Sequence, residues 1–404
     1  MTPDRTKRKY VLLVGDGMAD YPLDELGGKT VLEAARTPFM DRIAACRIGV
    51  ARTIPVGMEP GSDVANLSLL GYDPKLYHTM RAPFEAASMG VRLKPEEVAF
   101  RMNLVTLDRK PAGRAIMISH SSGDLTTEEA NRIIPDLKKA LESPGLRIYP
   151  GVGYRHLMVW ENGPERAATI PPHDRLDQDM AGYLGTANDP VPEMIRRSWD
   201  VLDNHPVNRK RRSSGLKEAN SIWLWGQGKA PKMPRFKERF GIDGGVISAV
   251  DLVKGIGIYA GFTPIFVKGA TGYLNTNYQG KAEEALKALQ NLDFVFVHVE
   301  APDEAGHNGD YREKIEAVER FDSKVVGTVL NGIERFEDYR VMVVSDHFTP
   351  ICRRTHTPEP PPFAWAGKAE LLQAKNGVFS EKAAIQGGIV FEKGHELIEE
   401  FVAG

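Results

Sequence analysis

The sequence has two cysteines, Cys46 and Cys352, among 404 residues. So few exclude a disulfide framework and a cysteine-built zinc site, and the expected location is a reducing one, the cytoplasm. Long hydrophobic runs are also missing. Nowhere do apolar residues continue for the roughly 20 positions that a membrane-spanning helix needs. The polar, charged opening at residues 1–9 does not read as a signal peptide. Nor is there an excess of positive charge: 52 basic and 54 acidic side chains give a formal net charge of −2, which does not suit a nucleic-acid backbone. Neither nucleic acid nor membrane is an expected partner. The one basic run, Arg209-Lys210-Arg211-Arg212, reads most simply as a solvated linker.

What is present is an ordinary globular composition, 42% hydrophobic and 26% charged, in a length that suits about two domains. Short apolar runs at residues 10–14, 294–299 and 339–344 read as buried strands. Helical patterns lie between them. Pro38 opens one helix with Thr37 as its cap, residues 246–254 have helical spacing, residues 281–289 form an amphipathic helix, and residues 311–336 contain a long one. Strands alternating with helices predict an α/β fold with a largely parallel sheet flanked by helices. From residue 79 to 215 the texture changes to arginines and turn residues, which reads as an inserted domain. The remaining core is then 1–78 with 216–404, and residues 207–215 serve as a second hinge. No nucleotide-binding motif holds. Gly27-Gly28-Lys29-Thr30 lacks a P-loop's first glycine, because Leu23 stands there, and Gly255 and Gly257 follow a helical pattern rather than a strand.

The stretch Pro60-Gly61-Ser62-Asp63-Val64-Ala65-Asn66 places a serine after a Pro-Gly turn, where a helix starts. Gly-Ser-Asp is an ordinary N-cap. The unpaired N–H groups and dipole of a helix start also suit an attacking oxygen that will carry a phosphoryl group. Three acids, Asp16, Asp303 and Asp346, each follow the end of an apolar strand. In an open α/β sheet such positions converge at the carboxyl edge, where ligands bind. Each has company: Asp303 and His307 are four apart, His347 adjoins Asp346, and His356 follows nine positions later. Carboxylates with imidazoles are the ligand set of Zn or Mn rather than Ca. Six such groups and a serine exceed what one ion takes and suit a pair, the usual apparatus for displacement at phosphorus.

In this order the motifs resemble those of the alkaline phosphatase superfamily and, more narrowly, of the archaeal-type cofactor-independent phosphoglycerate mutases. The likeness extends over nearly the whole chain. It includes Leu70-Gly71-Tyr72-Asp73-Pro74, Ser119-His120-Ser121-Ser122-Gly123, Gly153-Tyr154-Arg155-His156, His205-Pro206-Val207-Asn208 and Asp303-Glu304-Ala305-Gly306-His307. The resemblance implies an alkaline-phosphatase-like core with an inserted α/β cap domain, and a site in the cleft between them. It makes Ser62 the nucleophile that becomes phosphoserine. Asp16, Ser62, Asp346 and His347 would hold one ion, and Asp303, His307 and His356 the other. The two divalent ions would be Mn first, with Zn, Co or Mg as alternatives, and no 2,3-bisphosphoglycerate would be needed. Arg81, Arg101, Asn103, His120, Arg155, His156 and Lys237 would bind substrate. The implied activity is interconversion of 2- and 3-phosphoglycerate by a monomer or small homo-oligomer. A homoserine kinase-like phosphotransferase and a metal-dependent phosphomonoesterase remain as alternatives on the same site. The chain departs from many relatives at Met80-Arg81-Ala82-Pro83, where Gly-Arg-Gly-Pro is usual, and in the stiff Pro358-Glu359-Pro360-Pro361-Pro362 after the last histidine.

Overall fold

The apolar run at residues 10–14 becomes the strand Lys9–Gly15, which lies inside an eight-stranded sheet. The computed structural model describes residues 8–110, 114–185 and 189–403; most of the polar opening read above, residues 1–7, falls outside the described residues. Two compact units divide the chain. The first joins Met1–His78 to Lys232–Gly404, and the second is Thr79–Pro231.

In the first unit Lys9–Gly15 pairs in parallel with Phe294–Val299 on one side and Tyr339–Ser345 on the other. Gly244–Ile247 and Thr263–Pro264 extend the sheet beyond Phe294–Val299. On the other flank Pro362–Gly367 runs antiparallel to both its neighbours, Tyr339–Ser345 and Ile48–Ala51, and Ile389–Phe391 closes that edge. Val11, Leu13, Val295, Val297, Val341 and Val343 share one core with Met40, Ile43, Phe321, Val325 and Leu330. The alternate residues Leu12, Phe296 and Met342 are buried on the other face. Burial on both faces is why these strands read as unbroken apolar runs, and each large side chain so buried contributes about 1.5–3 kcal/mol.

Local structure in this unit departs from expectation in two places. Residues 246–254 are not one helix: Gly244–Ile247 is a strand and the helix Asp251–Tyr259 begins after a turn. A four-residue apolar run is too short for periodicity to separate the two states. The helix Pro38–Ala44 does start with proline, but Thr37 makes no side-chain cap bond. Its orphan N–H groups are taken instead by Asp322, which accepts from Met40 N at 2.7 Å and Phe39 N at 3.4 Å. Asp322 reaches them from Phe321–Val326, a π-helical stretch between the helices Tyr311–Arg320 and Gly327–Ile333. Among the described residues no helix is long and apolar enough to cross a membrane.

The second unit is built on the long strand Glu97–Arg109. It pairs antiparallel with Arg155–Glu161, with Ser221–Gly228 and, at its far end, with Ala115–Ser119. The pairing of Ser221–Gly228 draws residues 216–231 into this unit, so the return to the first falls at Lys232 rather than 216. Of the basic run read as solvated, Arg209, Lys210 and Arg212 are exposed, but residues 207–215 are not an irregular linker. They lie in the helix Pro206–Ser213 and the turn after it, and Arg211 is buried there, bonded to the carbonyls of Ser122 and Lys217 and to Glu129. A charge run hides a helix when one of its cations finds a full set of acceptors. Val98, Phe100, Met102 and Leu104 pack on Ile133, Leu137 and Ile195 from the helices Thr127–Leu141 and Pro190–Leu202.

Candidate metal centre and nucleophile

Sheet register places the ligand candidates. Gly15 stands opposite both Val299 and Ser345, so the next residues, Asp16, Glu300 and Asp346, leave the sheet at one edge. The helix Ala301–Asn308 begins there and carries Asp303 and His307 on successive turns. His347 Nε2 lies 3.2 Å from Asp16 Oδ1 and 3.6 Å from Asp346 Oδ2. His356 Nε2 lies 3.4 Å from Asp303 Oδ1 and 3.0 Å from His307 Nε2, and His307 Nε2 is 3.2 Å from Asp303 Oδ2. Two groups gather their ligand atoms within 4.8 Å: Asp303, His347 and His356, and Asp16, Asp346 and His347. His347 belongs to both.

Ser62 is the first residue of the helix Ser62–Leu69, with Gly61 rather than the serine at the cap position. Its hydroxyl is therefore not spent on its own helix, and Oγ lies 3.1 Å from His347 Nε2. Asn66, one turn on and fully buried, donates to Ser62 O at 2.8 Å and to Asp346 Oδ2 at 2.9 Å, tying the serine's turn to a candidate ligand. Asp63 faces away from this group, with Oδ2 3.0 Å from His78 Nε2.

The electrostatics suit a bound cation. Burial, and then the nearby charges of Asp346, Asp303 and Glu300, hold the Asp16 carboxyl well above the usual range. Burial works in the same direction on Asp303, but hydrogen bonds from His307 and His356 hold it well below. The Asp303 bond in turn pushes His307 up to about 9, while burial lowers His347. Asp16 Oδ1 and His298 Nε2 are buried and have no hydrogen-bond partner among the described residues. A buried carboxylate oxygen without a hydrogen-bond partner, beside further acids, suits a divalent cation.

All seven residues expected as ligands or nucleophile meet in this one place. Sequence reasoning missed His298, whose Nε2 is 3.0 Å from Asp16 Oδ2, and Thr349, which bonds Asp303 and His347. It also left Asn66 without a role.

In the second unit Arg101, Asn103 and Arg155 share one sheet face, since Asn103 is opposite Arg155 and Arg101 two positions back. The Arg101 guanidinium lies 4.0 Å over the Trp225 ring and 2.9 Å from Glu85, and Arg81 and Arg155 are close enough to lower its pKa behind the larger effect of burial. Asn103 accepts from Trp225 Nε1 at 3.1 Å and donates to His120 O at 3.2 Å. His173, which the sequence reading left without a role, packs edge-on against both His120 and Trp225. His156 does not join them. It is opposite Met102, on the core face, and burial pushes it down to about 4. Lys237 is elsewhere too, in the first unit, bonded at 2.6 Å to Asp243. Asp243 immediately precedes the strand Gly244–Ile247, at the edge opposite the ligands.

The profile of the family described as 2,3-bisphosphoglycerate-independent phosphoglycerate mutase matches residues 44–208, and that of type I phosphodiesterase / nucleotide pyrophosphatase matches residues 187–359. A 2,3-bisphosphoglycerate-independent phosphoglycerate mutase of Methanothrix thermoacetophila is 50% identical over 400 residues, 98% of this chain and 100% of its own length. One from Methanosarcina barkeri is 49% identical over 396 residues, 96% of this chain and 98% of its own. Among solved structures, a Pyrococcus horikoshii protein superposes with a TM-score of 0.81 at 30% identity, covering 98% of this chain and 96% of that one. The cofactor-independent phosphoglycerate mutase of Thermoplasma acidophilum shares the fold, with a TM-score of 0.64 at 24% identity, covering 98% and 100%.

Proposed function

This chain belongs to the family of 2,3-bisphosphoglycerate-independent phosphoglycerate mutases, and on that premise we propose how its own residues interconvert 2- and 3-phosphoglycerate. Ser62 is the nucleophile. The observation that carries this role is the 3.1 Å approach of Ser62 Oγ to His347 Nε2, with the serine at a helix start and free of any capping bond.

Asp16, Asp346 and His347, with Ser62, would hold one divalent ion, and Asp303, His307 and His356 a second; Mn suits this mixed oxygen and nitrogen set, as do Zn and Co. Such ions would supply the positive charge that makes a serine hydroxyl nucleophilic near neutral pH and that offsets charge on the moving phosphoryl group. Ser62 Oγ then forms a bond to phosphorus as the substrate's ester O–P bond breaks, and the electron pair leaves on the glycerate oxygen. That oxygen gains a proton and the serine loses one. In the return step the other hydroxyl of glycerate attacks the phosphoserine, and Ser62 recovers its proton. Ser62 opens the first turn of the helix Ser62–Leu69, and the positive end of the helix dipole suits an anion there. Asn66 keeps that turn fixed to Asp346.

For the second unit we propose that Arg81, Arg101 and Arg155 with His120 form an anion-holding face, since guanidinium forks match carboxylate and phosphate. Asn103 shapes that face through Trp225 and His120. The experiment is turnover of 3-phosphoglycerate with added Mn and no bisphosphoglycerate, with mass detection of phosphate on Ser62. Mutase turnover and phosphoserine in the parent, both lost in Ser62→Ala, support the reading. Full turnover in Ser62→Ala removes the serine from the mechanism. Steady release of inorganic phosphate, or formation of phosphohomoserine from ATP and homoserine, would replace the mutase activity.

A further inference from the structure

We propose that Thr349 is a positioning residue that holds both groups of the metal centre in one arrangement through its single hydroxyl. The inference rests on the reading of Asp303 and His347 as ligands. Thr349 is fully buried. Its Oγ1 lies 2.5 Å from Asp303 Oδ1 and 3.2 Å from His347 Nδ1. Asp303 and His356 belong to one ligand group and Asp16 and Asp346 to the other, with His347 in both, so this hydroxyl touches a member of each.

Donor counting sets the direction of both bonds. A hydroxyl has one hydrogen, and a carboxylate only accepts. The Thr349 hydrogen therefore goes to Asp303, and the His347 contact is made by Nδ1–H donating to the Thr349 oxygen. An imidazole protonated on Nδ1 presents a bare Nε2. That nitrogen faces Asp16 at 3.2 Å, Asp346 at 3.6 Å and Ser62 at 3.1 Å. Thr349 thus selects the tautomer in which His347 can bind a metal, and it aims one carboxylate oxygen of Asp303 with the same atom.

The threonine is itself held in place. Lys314, fully buried, donates to Thr349 O at 2.9 Å, to Ala19 O at 3.2 Å and to Asp20 Oδ2 at 2.7 Å. Gly17, at φ +59°, passes so near that a Cβ there would stand 2.4 Å from Thr349 Oγ1 and 2.6 Å from Asp303 Oδ1. Among the described residues Thr349 Oγ1 makes no other hydrogen bond.

The test is calorimetric titration of the metal-free full chain with Mn, for Thr349→Val, Thr349→Ser and Thr349→Ala, beside apo-protein melting. We expect Thr349→Val to weaken uptake of both ions by about 10–100-fold, the usual cost of losing an outer partner of metal ligands. Thr349→Ser should return both to near the parent value. Thr349→Ser and Thr349→Ala differ only in the hydroxyl, so their comparison decides the matter even where Thr349→Val fails to fold. Parent-like affinity in Thr349→Ala, weakening of one ion alone, or a serine variant no better than alanine would each overturn the proposal. Failure of the underlying ligand reading looks different: the parent chain would then take up no stoichiometric Mn.

Discussion

His298 Nε2 stands 3.0 Å from Asp16 Oδ2, and both side chains are buried at the carboxyl edge of neighbouring parallel strands. Burial pushes the imidazole down to about 4, so it is neutral at working pH. Its other nitrogen lies 3.4 Å from Ser248 Oγ. A neutral imidazole so placed restricts the candidate ligand Asp16 by contact, without a hydrogen bond to it and without adding a competing positive charge. Replacing His298 by Asn should keep the fold, as read by circular dichroism, and weaken Mn binding by about 10–100-fold. Unchanged Mn affinity would show that Asp16 needs no such support.

Chelation offers a second check. Three acids, Asp16, Asp303 and Asp346, converge at this edge with orphaned atoms beside them. An ion that binds only the folded chain stabilises it by about 2.7 kcal/mol at a free concentration a hundred times its Kd. The melting temperature should therefore rise with added Mn and fall with a chelator. A melting curve indifferent to both would count against a metal centre.

Asp322 should govern part of the pH dependence of stability. Its carboxylate caps Pro38–Ala44, yet burial outweighs the two N–H bonds and, with Asp41 and Glu319 nearby, pushes it up to about 7. An acid raised on folding takes up a proton between about pH 4 and 7, so stability falls as pH rises across that window. Asp322→Asn keeps an acceptor and removes the titration. Melting measured at about pH 5 and about pH 8 should show the variant gaining on the parent at the higher pH; a constant difference would refute the assignment.

Lys314 and Asp20 form an ion pair with no solvent exposure at either side chain. Lys314→Met leaves Asp20 charged and buried, which should cost about 3–5 kcal/mol in urea unfolding. Adding Asp20→Asn removes that charge while keeping an acceptor for Tyr21 N and Ile351 N, and should recover part of the loss. A double variant as weak as the single one would mean that lost packing, not the orphaned charge, dominates.

The sequence was most informative where chemistry follows a strand end. Asp16 and Asp346 lie two residues past their apolar runs, and Asp303 lies at a fixed spacing from His307, so the convergence of the three could be read from order alone. His298 could not be, because it sits inside Phe294–Val299, where every residue is buried and no alternation marks one position as different. Thr349 was equally silent: nothing in a threonine next to a proline announces that Asp303 and His347 share its hydroxyl. Lys237 and His156 failed for geometric reasons, one at the wrong edge of the sheet and the other on the wrong face of a strand. A one-residue step along a strand reverses the face, and motif matching does not see that step. Arg211 was misread because charge was taken for exposure.

Strand order also sets a timetable for synthesis. Lys9–Gly15 emerges among the first residues, but both of its partners, Phe294–Val299 and Tyr339–Ser345, lie more than 280 positions later. At about 5–20 residues per second, the first of them appears on the order of 15–60 s after the strand they will enclose. Through that interval an apolar segment waits with both backbone edges unpaired, the situation in which nascent chains meet chaperones or aggregate. Thr79–Pro231 is continuous in the chain and is complete well before then. The ribosome thus delivers a finished insertion first, and the sheet that carries the candidate metal ligands can close only near the end of translation.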